Sequence, residues 1–285
     1  MEAYTEFANV YEKFMDNVPY EKWCEAICEI LRSHGIEDGL VLDLGCGTGT
    51  MTRLLREKGY DMIGVDNSAE MLEIAREHPD DGILYLQQDM REFELYGTVK
   101  AVVCVCDSMN YLLEEEDLAE VFSLVHNYLD QDGIFIFDMN TLYKYRDLIG
   151  DATICENREH ESFIWENCFD EESSINEYAL TLFVEQESGL YARYEEFHYQ
   201  RAYELEKVEE LIKASGLELL AVCGEGTKEP PKADCERAYF VARRHSRIYF
   251  KNIIEKGMKN MEDYIVRATA ADSSIRAFAM TQKEL

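Results

Sequence analysis

Asp43 stands two residues before three glycines at alternate positions, Gly45, Gly47 and Gly49, with Cys46 between the first two. Glycine takes positive φ readily and lets a ligand reach the backbone with no Cβ in the way. An acid beside such a turn suits a ligand carrying an ammonium group better than one carrying a pyrophosphate. Asp66 follows 21 positions after Gly45, the distance at which a carboxylate on a second strand can accept both hydroxyls of a ribose. Asp107, Tyr111 and, much later, His198 are groups able to accept a proton from a reacting molecule. Together these residues suit an ammonium-bearing nucleoside ligand with a second molecule beside it.

The surrounding segments are of the kinds that would position them. Val41–Leu44 is a short apolar run, and helical spacing begins at Met51, Thr52, Leu54 and Leu55, so the glycines form a strand–turn–helix passage. Tyr60–Asp66 is predicted as strand two, with Asn67-Ser68 capping a helix through Met71, Leu72 and Ala75. Gly82–Met90 is predicted as strand three, with Asp89 just past its end. Lys100–Cys106, apolar almost throughout, reads as a central parallel strand that delivers Asp107–Tyr111 to the crevice of an open α/β sheet. Glu114–Leu129 follows as a helix, and Asp132-Gly133 as a turn into strand five, Ile134–Asp138. Residues 151–203 then show three β-like runs, Ser162–Phe169, Ile175–Glu187 and Leu190–Arg201, joined by hairpin turns. Leu205–Ser215 reads as a closing helix, followed by strands at Leu217–Cys223 and Ala238–Ala242.

The decad Val41–Thr50 resembles motif I of the class I S-adenosylmethionine-dependent methyltransferases. A dinucleotide fingerprint would want glycine or alanine where Thr50 stands, which disfavours a nicotinamide oxidoreductase. The resemblance implies an α/β, Rossmann-like seven-stranded sheet, mostly parallel with the last strand antiparallel, and an antiparallel β insertion after strand five. It implies S-adenosyl-L-methionine as cofactor and S-adenosyl-L-homocysteine as product. The glycines and Asp43 would cradle the methionine half, Asp66 the ribose, and Asp89 with the Met90 backbone the adenine. Tyr4 and Tyr11, on an aromatic N-terminal helix face with Phe7 and Phe14, would close over the donor as a lid. Cys46, Asn67, Met71 and Asp107 complete the expected cofactor contacts. Base candidates are His198, Asp107 and Tyr111, and Asn140 and Trp165 are candidate acceptor contacts. His198 precedes Gln200-Arg201-Ala202-Tyr203, a run similar to the strand-to-helix passage of sugar-amine N-methyltransferases. The expected acceptor is a small molecule with a nitrogen or oxygen nucleophile. A protein acceptor, or a regulatory module that holds the cofactor without turnover, are the alternatives.

Composition bounds the partners. With 28 Lys and Arg against 58 Asp and Glu the net charge is −30, which opposes a phosphate-tracking role, so no nucleic acid is expected. No apolar run approaches the roughly 18 residues of a membrane span. The N-terminus shows no basic region followed by an apolar one. Nine cysteines without a C-x-x-C pair suit reduced thiols. The expectation is a cytoplasmic monomer or homodimer with no metal and no membrane contact.

Charge also divides the chain: from His245 onward seven Lys and Arg face five Asp and Glu, leaving a net of −32 on the remainder. The expected organisation is lid helices over 1–35, a cofactor-binding core over 36–150 and 204–244, a β insertion over 151–203 acting as substrate cover, and an extension over 245–285. In that extension Met261–Ala271 and Ser274–Ala279 resemble the start of the redox-regulated, zinc-holding heat-shock chaperones, without the zinc cysteines. The resemblance implies a stub without chaperone function, and an amphipathic helix docking on the rest of the chain is the competing reading.

Overall fold

The computed structural model describes residues 18–77, 82–224 and 229–245. The N-terminal aromatic face with Tyr4 and Tyr11, and the chaperone-like stretch, lie outside the described residues. Seven strands form one sheet: β1 (Gly39–Leu44), β2 (Tyr60–Asp66), β3 (Leu84–Gln87), β4 (Val99–Cys104), β5 (Leu129–Asn140), β10 (Leu217–Gly224) and β11 (Arg237–Arg244). Their spatial order is β10-β11-β5-β4-β1-β2-β3. All neighbours are parallel except those of β11, which runs antiparallel to both β5 and β10. The expected architecture is present, including the antiparallel last strand.

Strand alternation feeds two cores. Val41, Ala101, Val103, Ile134 and Ile136 point to one face, where α1 (Tyr20–Ser33) and α2 (Thr50–Glu57) bring Cys24, Ile27, Leu31, Met51 and Leu55. Leu42, Val102, Cys104, Phe135 and Phe137 point to the other, against α4 (Glu115–Tyr128) and α5 (Leu205–Ala214). The intervening α3 (Ala69–Ala75) seats Leu72 and Ala75 on Tyr85 and Cys46. The middle of the sheet is aromatic: Phe137 stacks on Phe240 and on Phe135, both at 4.7 Å, with Phe122 at 5.4 Å. The apolar face of α1 packs on the sheet, and its first residue, Tyr20, reaches the cleft described below.

Two boundaries differ from the expectation. Strand five begins at Leu129, five residues earlier, because Asp130–Gly133 form a bulge inside the strand rather than a turn before it. Asp132 takes a φ of 62° there. The insertion has four strands, not three: β6 (Thr153–Asn157), β7 (Glu161–Asp170), β8 (Ile175–Glu185) and β9 (Tyr191–Arg201), in that order in one antiparallel sheet. The register sets Tyr178 beside His198 and Asn176 beside Gln200, so β9 turns Glu196, His198 and Gln200 to its buried face.

Candidate active site

The turn after β1 is tied to the end of β2, with the Gly45 and Cys46 N–H groups both donating to the Val65 carbonyl at 2.8 and 3.0 Å. All three motif glycines have positive φ, but they serve different ends. A Cβ on Gly49 would lie 2.5 Å from the Tyr85 hydroxyl, and one on Gly45 2.8 Å from Ser108 Oγ, so these two permit close packing within the protein. Gly47 has nothing within 4 Å of such a Cβ and lines a cleft of about 630 Å³. That is the bare backbone a ligand can approach.

Asp66 stands at the same cleft with both oxygens engaged, accepting from the Gly47 N–H at 2.7 Å and the Ser68 N–H at 2.9 Å. Burial raises its pKa in spite of the backbone donors. Ser68 caps α3 by accepting from the Met71 N–H at 3.1 Å, which places Asn67 and Met71 on the cleft wall. Asp43 is buried, and its carboxylate accepts from Thr52 Oγ1 at 2.5 Å. Burial pushes Asp43 up to about 7, Thr52 pulling against it and the nearby Asp66 charge adding to it. The Thr52 contact was not foreseen, although its position in the first turn of α2 places it over the end of β1.

On the far side of the cleft, Asp89 accepts from the Arg91 N–H and is gripped by the Arg91 guanidinium at 2.6 Å. This arrangement caps the turn and holds Asp89 below the usual carboxylate range. Cys46, Met90 and Tyr111 also line the cleft. The structure therefore gathers Asp43, Gly45, Cys46, Gly47, Asp66, Asn67, Met71, Asp89, Met90 and Tyr111 on one surface. Gly49, Asp107 and His198 are outside that lining, as are Asn140 and Trp165.

Asp107 is taken up by the protein itself. It and Cys106 both adopt left-handed φ, 52° and 63°, a strain of roughly 1–3 kcal/mol each. The buried Asp138 holds them there, accepting from the Asp107 N–H at 2.8 Å and the Cys106 N–H at 3.3 Å. Arg237, at the start of β11, bridges Asp138 at 2.8 Å and Asp107 at 2.6 Å. Gln200 donates to the other Asp107 oxygen at 2.8 Å and accepts from the Tyr145 hydroxyl at 2.9 Å. Burial raises the Asp107 pKa, but Arg237, Lys144 and Gln200 outweigh it and keep the carboxyl below its ordinary value. Asn140 spends its side chain on Tyr145 and Lys144.

The second sheet also meets this crevice at the 3₁₀ turn Ser108–Tyr111. The Tyr111 hydroxyl lies 2.8 Å from that of Tyr178 and 3.2 Å from His198 Nδ1. The His198 ring stacks on Tyr178 at 4.8 Å, and Trp165 meets Tyr178 edge-on at 5.4 Å. Main-chain carbonyls anchor the junction: Asn110 donates to the Arg201 and Asn140 carbonyls, Arg201 to that of Leu113, and Tyr203 to that of Leu112.

The chain has clear relatives. The family description "Methyltransferase domain" matches residues 41–133. YqeM of Bacillus subtilis (strain 168), which carries a methyltransferase name, is 37% identical over 250 residues, covering 86% of this chain and 98% of that protein. The crystal structure of an S-adenosylmethionine-dependent methyltransferase from Clostridium acetobutylicum ATCC 824 matches with a TM-score of 0.77 at 29% identity, over 85% of this chain and 99% of that one. Over a shorter stretch, dTDP-3-amino-3,4,6-trideoxy-alpha-D-glucopyranose N,N-dimethyltransferase of Streptomyces venezuelae is 32% identical across 133 residues, 46% of this chain and 56% of that enzyme. With a seven-stranded sheet of the expected topology and a cleft at its glycine turn, the chain belongs to the S-adenosylmethionine-dependent methyltransferases.

Proposed function

We propose that the protein methylates a small molecule at nitrogen or oxygen, with the acceptor entering between the glycine turn and the second sheet. The observation that carries this reading is the cleft on which Gly47, Asp66 and Asp43 come together with Tyr111, whose hydroxyl meets Tyr178 and His198 of the second sheet. The residues fit the cofactor: open space over Gly47, a carboxylate at the end of β2 and a buried acid beneath the turn. Asp66 would accept the ribose hydroxyls, Asp43 and the glycine turn would hold the methionine half, and Asp89 with Met90 the adenine. Asn67, Met71 and Cys46 would line the walls. Bound there, S-adenosylmethionine supplies a methyl group already activated on a sulfonium. The protein's own task is then to align the acceptor and exclude water, which contributes on the order of 7–11 kcal/mol.

Residues 36–150 with 204–244 would act as the cofactor-binding core and 151–203 as the acceptor's cover. The partial likeness to an amino-sugar N,N-dimethyltransferase supports a small amine acceptor. So does the acidity of 151–203, where 13 Asp and Glu face three Arg. We read residues 261–285 as a chaperone-like stub with no part in this chemistry. Asp107, fully engaged with Arg237 and Gln200, positions the crevice rather than taking a proton.

Substituting Asp66→Ala should weaken S-adenosylhomocysteine binding by about 1.5–3 kcal/mol, the value of a hydrogen bond to a charged group. Calorimetric titration measures it, with circular dichroism to show that the fold persists. A dissociation constant equal to the wild type's would sink the ribose assignment.

Asp43 predicts a pH dependence. With its carboxyl pushed up to about 7, the ligand-free site holds a proton that an incoming ammonium must displace. S-adenosylhomocysteine affinity should therefore fall as pH drops below 7, by up to about tenfold per unit. Asp43→Asn should flatten the profile. For the ligand-free fold the sign is opposite: the folded pKa lies above the unfolded value, so Asp43 lowers stability as pH rises through that window to 7. Thermal melts of the wild type and Asp43→Asn from pH 5 to 8 measure the difference.

A further inference from the structure

We propose that Tyr111 takes the proton of the methyl acceptor and passes its own to His198, with Glu196 balancing the resulting charge. The proposal rests on the methyltransferase reading above and narrows the acceptor class to nucleophiles that still carry a proton: hydroxyls and ammonium groups.

Three atoms stand in sequence. The Tyr111 ring lines the cleft, its hydroxyl is 3.2 Å from His198 Nδ1, and His198 Nε2 is 3.3 Å from Glu196 Oε2. The Glu196 carboxylate is near the far nitrogen without hydrogen-bond geometry to it, and its charge favours the tautomer with the proton on Nε2, which leaves Nδ1 to accept from Tyr111. The side chains of His198 and Glu196 are 1% and 7% exposed, and Tyr111, which bonds the imidazole, lines the cleft. Strand alternation produces the pair, two residues apart on one face of β9, and register brings Tyr178 beneath the ring. With the Tyr111 proton directed at His198, the Tyr178 hydroxyl, 2.8 Å from that of Tyr111, is left to donate to it. Burial raises the Tyr178 pKa well above a free phenol's, so Tyr178 remains protonated and orients the relay.

A proton arriving at His198 stands 3.3 Å from the Glu196 carboxylate, which offsets the imidazolium charge. In the transfer, the acceptor's lone pair forms the new bond to carbon while the electron pair of the sulfur–methyl bond stays on sulfur. The acceptor's proton goes to the Tyr111 oxygen as the Tyr111 proton goes to Nδ1. One positive charge thus leaves the sulfonium and one appears on the imidazolium next to Glu196. An ammonium acceptor releases its proton along the same path before it attacks.

The groups facing His198 are Tyr111 from the 3₁₀ turn, Tyr178 from β8 and Glu196 from its own strand, with Asp107 further off and paired to Arg237. Nitrogen-15 NMR of histidine in the full chain, with S-adenosylhomocysteine bound, needs no acceptor. The expected spectrum has His198 with its proton on Nε2, a Nδ1 resonance that moves in Tyr111→Phe, and an Nε2 resonance that moves in Glu196→Gln. With ethanolamine as the acceptor probe, Tyr111→Phe should lower kcat by about 10²-fold or more, while KM for the methyl donor stays within about twofold. Both conservative variants should bind S-adenosylhomocysteine like the wild type. Failure of the wild type to bind it would instead count against the methyltransferase site itself. A proton on Nδ1, an Nε2 resonance indifferent to Glu196→Gln, or full activity in Tyr111→Phe would overturn the relay.

Discussion

Replacing Arg237 by methionine is expected to cost about 3–5 kcal/mol of stability, the loss typical when one member of a buried ion network is removed. Arg237 is buried between two carboxylates, Asp138 at 2.8 Å and Asp107 at 2.6 Å, and its guanidinium also lies 5.5 Å from the Trp23 ring centroid. Without it Asp138, fully buried, keeps its charge beside that of Asp107 with no cation between them. Both pKa values would rise in the folded variant, so its deficit should be greatest near neutral pH and shrink as the carboxylates protonate on acidification. Urea denaturation at pH 7 and pH 5 measures this, and adding Asp138→Asn should recover part of the loss. A deficit below about 1 kcal/mol at pH 7 would show that the carboxylates do not depend on Arg237.

Phe137→Ala should be of similar size, about 3–5 kcal/mol, by loss of transfer energy and opening of a cavity. The ring is fully buried and touches aromatic neighbours on three elements: Phe135 on its own strand, Phe240 on β11 and Phe122 on α4. Since β11 is the antiparallel strand that carries Arg237, loosening this stack should also reduce S-adenosylhomocysteine affinity. Exposed Phe197 on the second sheet is the control, where alanine should change stability by less than about 0.5 kcal/mol. Equal losses at the two sites would mean that the sheet collapses readily around the missing ring.

Local chemistry was legible and long-range pairing was not. Asp43, the alternating glycines and Asp66 could be read because a strand, a tight turn and a cap each leave a mark within a few residues. The Arg237–Asp107 bond spans 130 positions, and no local pattern links its ends. Strand β6 leaves little mark in the sequence because Thr153–Asn157 is a sheet edge with no fully buried residue. The early start of β5 was hidden by Asp132-Gly133, which has the composition of a turn whether it ends a strand or bulges within one. His198 and Tyr111 were found as separate proton carriers. Their meeting depended on the register of β8 with β9 and on where the 3₁₀ turn falls beneath it.

The anchoring of the second sheet has a consequence for how such a protein can diversify. Four of its ties to the crevice end on the carbonyls of Asn140, Arg201, Leu112 and Leu113, and the side chains of Asn110, Arg201 and Tyr203 donate them. The residues turned toward the crevice, Trp165, Tyr178 and His198 among them, have no share in those ties. Scaffold and selector therefore fall at different positions, Asn110, Arg201 and Tyr203 for docking and Trp165, Tyr178 and His198 for the other. A row of inward residues can be exchanged for a new clientele while the sheet stays docked in the same place.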